Sequence, residues 1–307
     1  MKTAFLFAGQ GSQYINMGRD LAENIEECNE VFEEANGVLD FDIRKLCFED
    51  KQGRLNQTRY TQPAILTVNM IALRAIEKKI KPDMVAGLSL GEYSALIASG
   101  ALDFKEGVSL VRKRGQFMEE AVPSNIGGMS AVLGLSKEEL ENTLNTITEG
   151  IVEASNFNCP GQIVIGGELK ALKIAEEQLK LAGAKRVIPL TVSGPFHTSM
   201  LKGAAQKLEK ELEGINFKDI SIPVISNVNA NYVKKEEIKS LLKRQIMSSV
   251  LWEQSINKMI EEGVDTFIEL GPGKVLTGFI RKINRSVTVC NVEDMTSLEK
   301  TLEILRR

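Results

Sequence analysis

The sequence predicts an α/β protein with a largely parallel sheet, interrupted by a smaller inserted domain. Short apolar runs alternate with longer amphipathic segments along most of the 307 residues, a pattern typical of strand-helix-strand units. Between about residues 125 and 195 the order changes, and two strand patterns follow one another without a helix between them. A prior of roughly 150 residues per domain allows about two domains. We therefore expect a large domain with a small domain inserted into it.

Five short apolar runs are the expected strands of the large domain. They cover residues 3–8, 83–88, 222–227, 265–270 and 286–291. The amphipathic segments predict helices at 16–35, 61–79, 91–99, 104–122, 199–213, 235–249, 252–262, 274–283 and 295–305. Because strands and helices alternate, most of these strands should pair in parallel.

The inserted segment has its own order of elements. It is predicted as strand 129–135, helix 137–147, strand 152–157, strand 162–166, helix 169–182 and strand 186–192. This β-α-β-β-α-β order is that of the ferredoxin-like unit. Glycine and proline mark the junctions near Pro123-Ser124-Asn125 and Ser193-Gly194-Pro195. We predict a large domain of residues 1–124 and 196–307, a small domain of residues 125–195, and a substrate cleft between them.

Composition excludes several classes of function. The chain has 38 Lys plus Arg against 41 Asp plus Glu, which argues against bulk nucleic-acid binding. A single histidine excludes metal centres with two or more His ligands, and we expect no metal site. The four cysteines form no Cys-x-x-Cys pair and fit reduced thiols of a cytoplasmic protein. No apolar run approaches about 18 residues, so we expect no membrane span.

Gly87-Leu88-Ser89-Leu90-Gly91 matches the G-x-S-x-G nucleophile elbow of α/β-hydrolase-like domains. A predicted strand precedes it and a predicted helix follows it, as the elbow requires. The glycines allow a turn sharp enough to expose the hydroxyl of Ser89, which we predict to be a nucleophile. An alternative is that Ser89 caps the helix, since Ser89 and Glu92 have the spacing of a capping box. The two roles are compatible.

His197 is the only imidazole that could serve Ser89 as a base. It lies in a Gly-Pro loop after the inserted segment, and an unperturbed pKa near about 6.5 would suit proton transfer at neutral pH. A structural role is the alternative. The only Asp between Ser89 and His197 is Asp103, directly after the nucleophile's own helix, although glutamates remain possible. A Ser-His pair oriented by a main-chain carbonyl therefore fits better than a complete triad.

Arg114 lies in the apolar stripe of the predicted helix 104–122. Its neighbours three and four positions away are Leu110, Val111, Phe117 and Met118. Residues at these offsets share one helix face, and a guanidinium there is costly unless a carboxylate or phosphate pairs with it. The partner could be an internal Asp or Glu. It could instead be a substrate carboxylate, bound through the bidentate guanidinium fork.

The turn Gly9-Gln10-Gly11-Ser12-Gln13 follows the first predicted strand. It is not a dinucleotide loop, because Tyr14 occupies the position of the third glycine. A glycine-rich turn near an elbow can supply one main-chain N–H of an oxyanion hole, with the N–H of Leu90 as the other. A plain tight turn is the alternative.

Together these segments resemble the malonyl-CoA:acyl carrier protein transacylases of bacterial type II fatty-acid synthesis. The resemblance covers essentially the whole chain. It rests on Phe7-Ala8-Gly9-Gln10-Gly11-Ser12-Gln13, Thr61-Gln62-Pro63-Ala64, Gly87-Leu88-Ser89-Leu90-Gly91-Glu92-Tyr93-Ser94-Ala95-Leu96, Arg114-Gly115-Gln116-Phe117-Met118, Asn158-Cys159-Pro160-Gly161-Gln162, Gly194-Pro195-Phe196-His197, Gln245 with Trp252, and Glu269-Leu270-Gly271-Pro272-Gly273-Lys274-Val275-Leu276.

The resemblance implies roles for the reacting groups. Ser89 would accept the acyl group, and His197 would act as its base and later as the acid for the leaving thiol. The main-chain carbonyl of Gln245 would orient the histidine, which would explain the missing triad acid.

The resemblance also implies how the acyl group is held. Arg114 would bind the free malonyl carboxylate, and the N–H groups of Gln10 and Leu90 would form the oxyanion hole. Phe196 matches a bulky residue that accompanies malonyl over methylmalonyl preference in related domains.

The implied reaction is a ping-pong transfer of malonyl from malonyl-CoA, through malonyl-Ser89, to the pantetheine thiol of acyl carrier protein. No cofactor is implied, since the CoA thioester and the phosphopantetheine are substrates. Acyl carrier protein is acidic, so a basic docking face is expected. The candidates are Lys274, Arg281, Lys282 and Arg285, each of which could equally be a solvated surface charge. We expect a cytoplasmic monomer that contacts neither nucleic acid nor membrane.

One residue departs from the family pattern. The family usually has Gly-His-Ser-Leu-Gly, whereas this chain has Leu88 before the nucleophile. The absent histidine is not the family's general base, so catalysis should survive. Two other functions are weighed against the transfer: a serine hydrolase that passes the acyl group from Ser89 to water, and a non-catalytic protein on the same fold, of which Leu88 would be a sign.

Overall fold

The computed structural model describes residues 1–123 and 125–306, which contain two separate sheets. Their strands are β1 (Thr3–Phe7), β2 (Met84–Gly87), β3 (Gly127–Leu133), β4 (Val152–Cys159), β5 (Gln162–Glu168), β6 (Arg186–Pro189), β7 (Thr266–Leu270) and β8 (Thr288–Val292). The predicted α/β class is confirmed.

Helices make up most of the remaining regular structure. They are α1 (Arg19–Asn24), α2 (Glu26–Asn36), α3 (Ile43–Phe48), α4 (Thr58–Ile76), α5 (Gly91–Ala98), α6 (Phe104–Ala121), α7 (Lys137–Leu144), α8 (Leu169–Leu181), α9 (Lys202–Glu213), α10 (Ile238–Ile246), α11 (Trp252–Glu261), α12 (Val275–Ile283) and α13 (Met295–Leu305). Short 3-10 turns at Ser199–Leu201 and Lys235–Glu237 precede α9 and α10. No helix among residues 1–123 and 125–306 is both long enough and apolar enough to cross a membrane.

The larger sheet is parallel, with the strand order β2-β1-β7-β8. The strand predicted at 222–227 is wrong. Val224 forms only an isolated bridge to Val85 beside β2. Pro223 provides a carbonyl to the Val85 N–H but has no N–H with which to extend the ladder toward residue 83. On the other side of the bridge the Gly87 carbonyl accepts from the Asn227 side chain instead of a main-chain N–H.

The smaller sheet is antiparallel, with the order β4-β5-β3-β6, and α7 and α8 pack on it. The β-α-β-β-α-β order and the strand arrangement agree with the predicted ferredoxin-like unit. Its last strand ends at Pro189 rather than at residue 192. The domain limits at 124/125 and 195/196 stay a prediction. Ser124 in the first junction, and Arg307 at the end of the predicted large domain, lie outside the described residues.

One predicted helix is divided in the structure, and one helix of the structure was not predicted. The helix predicted at 16–35 is two helices, because Gly18 has a left-handed φ of 77° and Ile25 is extended between α1 and α2. Helix α3 was not predicted, although Asp42 marks its start by accepting a hydrogen bond from the Lys45 N–H at 2.9 Å. Six residues are too few to show a clear helical period.

The two sheets meet beside the carboxyl edge of the parallel sheet. The Val250 N–H donates to the Ser155 carbonyl and the Phe157 N–H donates to the Val250 carbonyl, which joins β4 to the segment before α11. The turns after β1, β2 and β7 emerge at this same edge, because parallel strands share their direction. The predicted site residues on these turns are thereby brought under the small sheet.

Candidate active site

The turn after β2 has the geometry of a nucleophile elbow. Ser89 has a φ of +54°, a region that non-glycine residues rarely occupy. A Cβ on Gly87 would lie 2.0 Å from the Gly91 backbone, and a Cβ on Gly91 would lie 2.2 Å from the Phe7 carbonyl oxygen. The two glycines therefore allow β2 to turn directly into α5 against β1, with Ser89 at the bend.

The interpretation of Ser89 and Glu92 as a capping box is wrong. Helix α5 begins at Gly91 with Leu90 at its N-cap, and no side chain caps it. The Ser89 hydroxyl bonds His197 and Arg114 instead. The Glu92 carboxylate accepts hydrogen bonds from Gln245 and from the Asn227 N–H. The chain turns too sharply at Ser89 for its side chain to reach the free N–H groups of the helix.

Ser89 and His197 form a buried pair. The distance from Ser89 Oγ to His197 Nε2 is 2.7 Å, and that from His197 Nδ1 to the Gln245 carbonyl oxygen is 2.7 Å. A carbonyl can only accept, so Nδ1 carries the proton and Nε2 is free to accept from the serine hydroxyl. Burial, followed by the nearby charge of Arg114, lowers the pKa of His197 to about 4. The imidazole is neutral at pH 7, as a general base must be.

The main-chain carbonyl of Gln245 stands where a triad acid would be. Among the described residues no carboxylate bonds His197. Asp103, the only aspartate between Ser89 and His197 in the sequence, instead caps α6 by accepting from the Lys105 and Glu106 N–H groups. The His197 backbone N–H also donates to the Ile246 carbonyl at 3.1 Å, so the last turn of α10 fixes both the ring and its backbone.

Arg114 is completely buried on α6 and reaches the nucleophile. One terminal nitrogen donates to Gln62 Oε1 at 2.8 Å, and the other to Gln245 Oε1 at 2.9 Å and Ser89 Oγ at 3.1 Å. No carboxylate among the described residues lies within 4.0 Å of the guanidinium, so the alternative of an internal ion-pair partner is wrong. Burial lowers its pKa. The site thus holds a cation whose partners are neutral, a good receptor for an anionic group.

The glycine-rich turn after β1 packs directly on the elbow. A Cβ on Gly9 would lie 2.5 Å from the Leu88 carbonyl oxygen. Ser12 Oγ donates to the Gly9 carbonyl at 2.8 Å, and Gln10 Nε2 donates to Thr58 Oγ1 at 3.2 Å. Within the described part of the chain, the main-chain N–H groups of Gln10 and Leu90 have no hydrogen-bond partner. Two unused donors next to Ser89 suit an oxyanion.

A cavity of about 250 Å³ lies between the two sheets and opens onto Ser89 and His197. The larger part of the protein contributes Leu88 and the nearly buried Phe196 to its wall. The small sheet contributes polar side chains at Asn156, Asn158 and Gln162. Among the described residues, no three His, Cys, Asp or Glu side chains are placed to hold a metal ion. The mixed lining suits a molecule with both apolar and polar parts.

Asn227 supports the elbow in this chain. Its Oδ1 accepts from the Ser89 N–H at 2.6 Å, and its Nδ2 donates to the Gly87 carbonyl at 2.8 Å. Leu88 packs among apolar side chains beside the cavity and offers no such support. Sequence reasoning missed Asn227, since 138 residues separate it from Ser89 and no local motif marks it. It also assigned no role to Gln62, although Gln62 is part of a quoted motif.

Comparison with known proteins gives one consistent family. The model of the acyl transferase domain matches residues 4–301. The chain is 48% identical over 309 residues to the malonyl CoA-acyl carrier protein transacylase of Bacillus subtilis, covering 99% of this chain and 98% of that protein. It is 42% identical over 301 residues to the protein of that name in Staphylococcus aureus, covering 97% of each.

Solved structures similar to this chain are named as members of the same family. The malonyl CoA-acyl carrier protein transacylase from Clostridium perfringens superposes with a TM-score of 0.97 at 52% identity, covering 100% of this chain and 98% of that one. A malonyl-transacylase in complex with its type II PKS acyl-carrier protein superposes with a TM-score of 0.96 at 40% identity, covering 99% of this chain and 100% of that one.

Proposed function

The chain belongs to the acyl transferase domain family and, within it, to the malonyl CoA-acyl carrier protein transacylases, and on this basis we propose that it moves malonyl groups from malonyl-CoA to the pantetheine thiol of acyl carrier protein through a malonyl-Ser89 intermediate. It is an acyltransferase that supplies extender units for fatty-acid synthesis. The observation that carries the proposed route is the 2.7 Å contact between Ser89 Oγ and the unprotonated Nε2 of His197, beside a buried Arg114.

Acylation begins at the serine hydroxyl. Ser89 Oγ attacks the thioester carbonyl carbon while His197 Nε2 takes the hydroxyl proton. The carbonyl oxygen becomes an oxyanion, which accepts from the N–H groups of Gln10 and Leu90. When the tetrahedral species collapses, the carbon-sulfur bond breaks and His197 returns the proton to the CoA sulfur. The products are free CoA thiol, malonyl-Ser89 and a neutral imidazole.

Deacylation repeats the steps with a second thiol. The pantetheine thiol gives its proton to His197 Nε2 and attacks the ester carbonyl. The bond from that carbon to Ser89 Oγ then breaks, and His197 protonates the serine. Transfer prevails over hydrolysis only if the thiol reaches the ester before water does. The nearly complete burial of Ser89 and His197, which are 8% and 5% exposed, favours the thiol.

Arg114 selects the acyl group in this scheme. Its guanidinium carries a charge with no carboxylate partner, so the terminal carboxylate of malonyl completes a bidentate ion pair that an acetyl group cannot make. In the free protein one of its nitrogens donates to Ser89 Oγ. The substrate carboxylate takes over this donor and frees the hydroxyl for attack. Phe196 closes the same pocket and limits the bulk of the acyl chain.

The basic residues around α12 are the proposed docking face for the acidic carrier protein. Arg281 and Arg285 are exposed and have no ion-pair partner in the described part of the chain, whereas Lys274 pairs with Glu293 at 3.4 Å and Lys282 donates to Gln162 at 3.1 Å. Helix α12 borders the cavity through Val275, so a carrier protein bound there could extend its phosphopantetheine group through the cavity to Ser89. Arg281→Glu with Arg285→Glu should weaken transfer to carrier protein while acylation by malonyl-CoA stays unchanged.

The proposed reaction needs neither a cofactor nor a second subunit. The scheme uses no cofactor, since the CoA thioester and the phosphopantetheine enter as substrates. One chain holds every group that it needs, which suits a monomer. The four cysteines are buried and unpaired, as expected in the cytoplasm.

Intact-mass analysis tests the proposed intermediate. After brief exposure to malonyl-CoA the protein should carry one malonyl group, which acyl carrier protein removes. Ser89→Ala should carry none. Ser94→Ala is the matched control, since Ser94 is also a buried serine, on α5 five residues after Ser89, but it bonds Asn69 rather than His197. CoA release that does not depend on carrier protein would indicate a hydrolase, and an unmodified Ser89 would indicate a non-catalytic protein.

A further inference from the structure

Glu92 is a buried carboxylate that the proposed reaction does not use. It lies in the first turn of α5, three residues after the nucleophile, and is 1% exposed. Its Oε2 accepts from Gln245 Nε2 at 2.5 Å and from the Asn227 N–H at 3.3 Å. Burying a carboxylate is costly, and burial raises the pKa of Glu92 to about 7. A carboxyl group buried at this cost next to an active site calls for a role.

The Gln245 side chain connects Glu92 to Arg114, which binds the substrate carboxylate in the proposed scheme. Its Oε1 accepts from Arg114 at 2.9 Å, while its Nε2 donates to Glu92 and to the Ser89 carbonyl at 2.9 Å. A guanidinium only donates, whereas an ionised carboxylate and a carbonyl only accept, so Arg114 on one side and Glu92 with the Ser89 carbonyl on the other fix which end of the amide faces which. Rotating this amide by half a turn would place an NH2 group against the guanidinium.

The intervening amide also keeps the clamp available. A carboxylate in direct contact with Arg114 would occupy the fork that a substrate carboxylate needs. Glu92 instead lies one amide away, where its negative charge stabilises the buried cation without occupying it. The centre of the Tyr93 ring lies 5.3 Å from the guanidinium carbon. The arrangement offsets the charge of Arg114 and leaves the Nε–H group, together with the donor that bonds Ser89 in the free protein, for a ligand.

We propose that Glu92 is a positioning residue for acyl-group selectivity: by holding the Gln245 amide in one orientation, it aims the Arg114 guanidinium at the terminal carboxylate of the substrate. This inference rests on the proposed function, because it concerns the same acyl-binding pocket. Glu92 acts through Gln245 and does not touch the reacting atoms.

The test is Glu92→Gln, assayed for transfer of malonyl and of acetyl groups to acyl carrier protein. A glutamine there has both a donor and an acceptor, so it no longer dictates the orientation of the Gln245 amide. The ratio of kcat/KM for malonyl over acetyl should fall roughly 10-fold, the order expected for one charge-assisted hydrogen bond. Equal losses on both substrates, or an unchanged ratio, would overturn the proposal, since a merely structural defect has no preference for a carboxylate.

Two further variants keep the result interpretable. Glu269→Gln is the matched control, because it removes another buried carboxylate, on β7, which bonds the α12 N–H groups and neither Gln245 nor Arg114; the malonyl-to-acetyl ratio should not change. Gln245→Met breaks the same link from the other end and keeps the main-chain carbonyl for His197. It should lower the ratio even if Glu92→Gln does not fold, and an unchanged ratio there overturns the proposal.

A double-mutant cycle separates this inference from the proposed function. In an Arg114→Ala background, Glu92→Gln should produce no further change in the ratio, since the group that it positions is gone. Additive effects contradict the proposed link. If the unmodified protein forms no malonyl-Ser89, the proposed function fails. If it forms the adduct but the ratio is insensitive to Glu92, only the positioning role fails.

Discussion

The turns after β2 and β7 emerge at the same edge of the parallel sheet, and beside each lies a buried glutamate, Glu92 in the first turn of α5 and Glu269 near the end of β7, whose pKa burial raises to about 7. Glu269 directs both carboxylate oxygens at the start of the next helix, α12, accepting from the Leu276 and Thr277 N–H groups at 3.0 and 2.7 Å. Glu92 directs its carboxylate at residues 135 and 153 positions away. The first arrangement stabilises a helix start, whereas the second assembles a site from distant segments.

The difference shows what makes one of these turns suitable for chemistry. At β7 the free N–H groups at the start of α12 are satisfied by Glu269, so that turn has few unused donors. At β2 the helix start is uncapped, Ser89 is held in a strained conformation, and the N–H of Leu90 is unused. Long-range contacts from Asn227 and Gln245 hold this less stable turn in place.

Gly91→Ala should give the largest effect and would show how little freedom the elbow has. The new Cβ would lie 2.2 Å from the Phe7 carbonyl oxygen, so β1 and α5 must separate. We expect a loss of about 3 kcal/mol or more in the free energy of unfolding, together with loss of Ser89 acylation. Gly278→Ala, within α12 with nothing within 4 Å of the new Cβ, should instead be neutral or stabilising by up to about 1 kcal/mol. Chemical denaturation measures the free energy of unfolding of both variants. Similar values for the two would contradict the expected difference between the tightly packed Gly91 and the unobstructed Gly278.

Arg114→Ala should lower kcat/KM for malonyl transfer by about 100-fold, with a much smaller effect on acetyl transfer, because only malonyl has a carboxylate for the guanidinium. Arg112→Ala is the control on the same helix, since Arg112 points away and donates to the Arg59 carbonyl. It should leave the ratio of the two substrates unchanged. Equal losses on both substrates in Arg114→Ala would contradict the proposal that Arg114 binds the malonyl carboxylate.

The pH dependence of Ser89 reactivity should report the low pKa of His197. Above about 4 the imidazole is neutral and can accept the serine proton; as pH falls through about 4 it becomes protonated and reactivity is lost. We expect the rate of modification by phenylmethylsulfonyl fluoride, an uncharged reagent, to be nearly constant between pH 5 and 7, with mass spectrometry confirming the site. A midpoint near about 6.5 would mean that the histidine is not desolvated in solution. As a control, Glu269→Gln should show the same pH midpoint of Ser89 modification as the unmodified protein.

Glu269→Gln should give the smallest effect, confined to stability. The carboxyl has a pKa of about 7 in the folded protein against an ordinary 4.5, so the folded state binds more protons between these values. Its contribution to stability is therefore present at acidic pH and lost as pH rises through about 7. The variant should be less stable than the unmodified protein by about 1 to 3 kcal/mol near pH 5, and the gap should narrow toward pH 8. Thermal unfolding at both pH values checks this, and a gap that widens with pH would contradict it.

Local patterns were sufficient for the elbow and for most elements. Two glycines around a serine, between an apolar run and an amphipathic segment, predicted the turn at Ser89, and helical spacing placed Arg114 in an apolar stripe. Pro223 could have warned that 222–227 is no regular strand. The short α3 and the break at Ile25 carry too little periodicity to be found in this way. The resemblance to a known family pointed to Gln245, which no local pattern marks.

The sequence by itself determined the fold class, the inserted β-α-β-β-α-β unit, and the candidate pair of Ser89 with the single histidine, because these depend on residue type and short-range periodicity. Only the tertiary structure decided what each polar group contacts. It showed that Glu92 does not cap its helix, that Arg114 has no carboxylate partner within the described residues, and that Asn227 supports the elbow. Hydrogen bonds between residues more than 100 positions apart leave no periodic signal in a sequence, since folding alone brings their partners together.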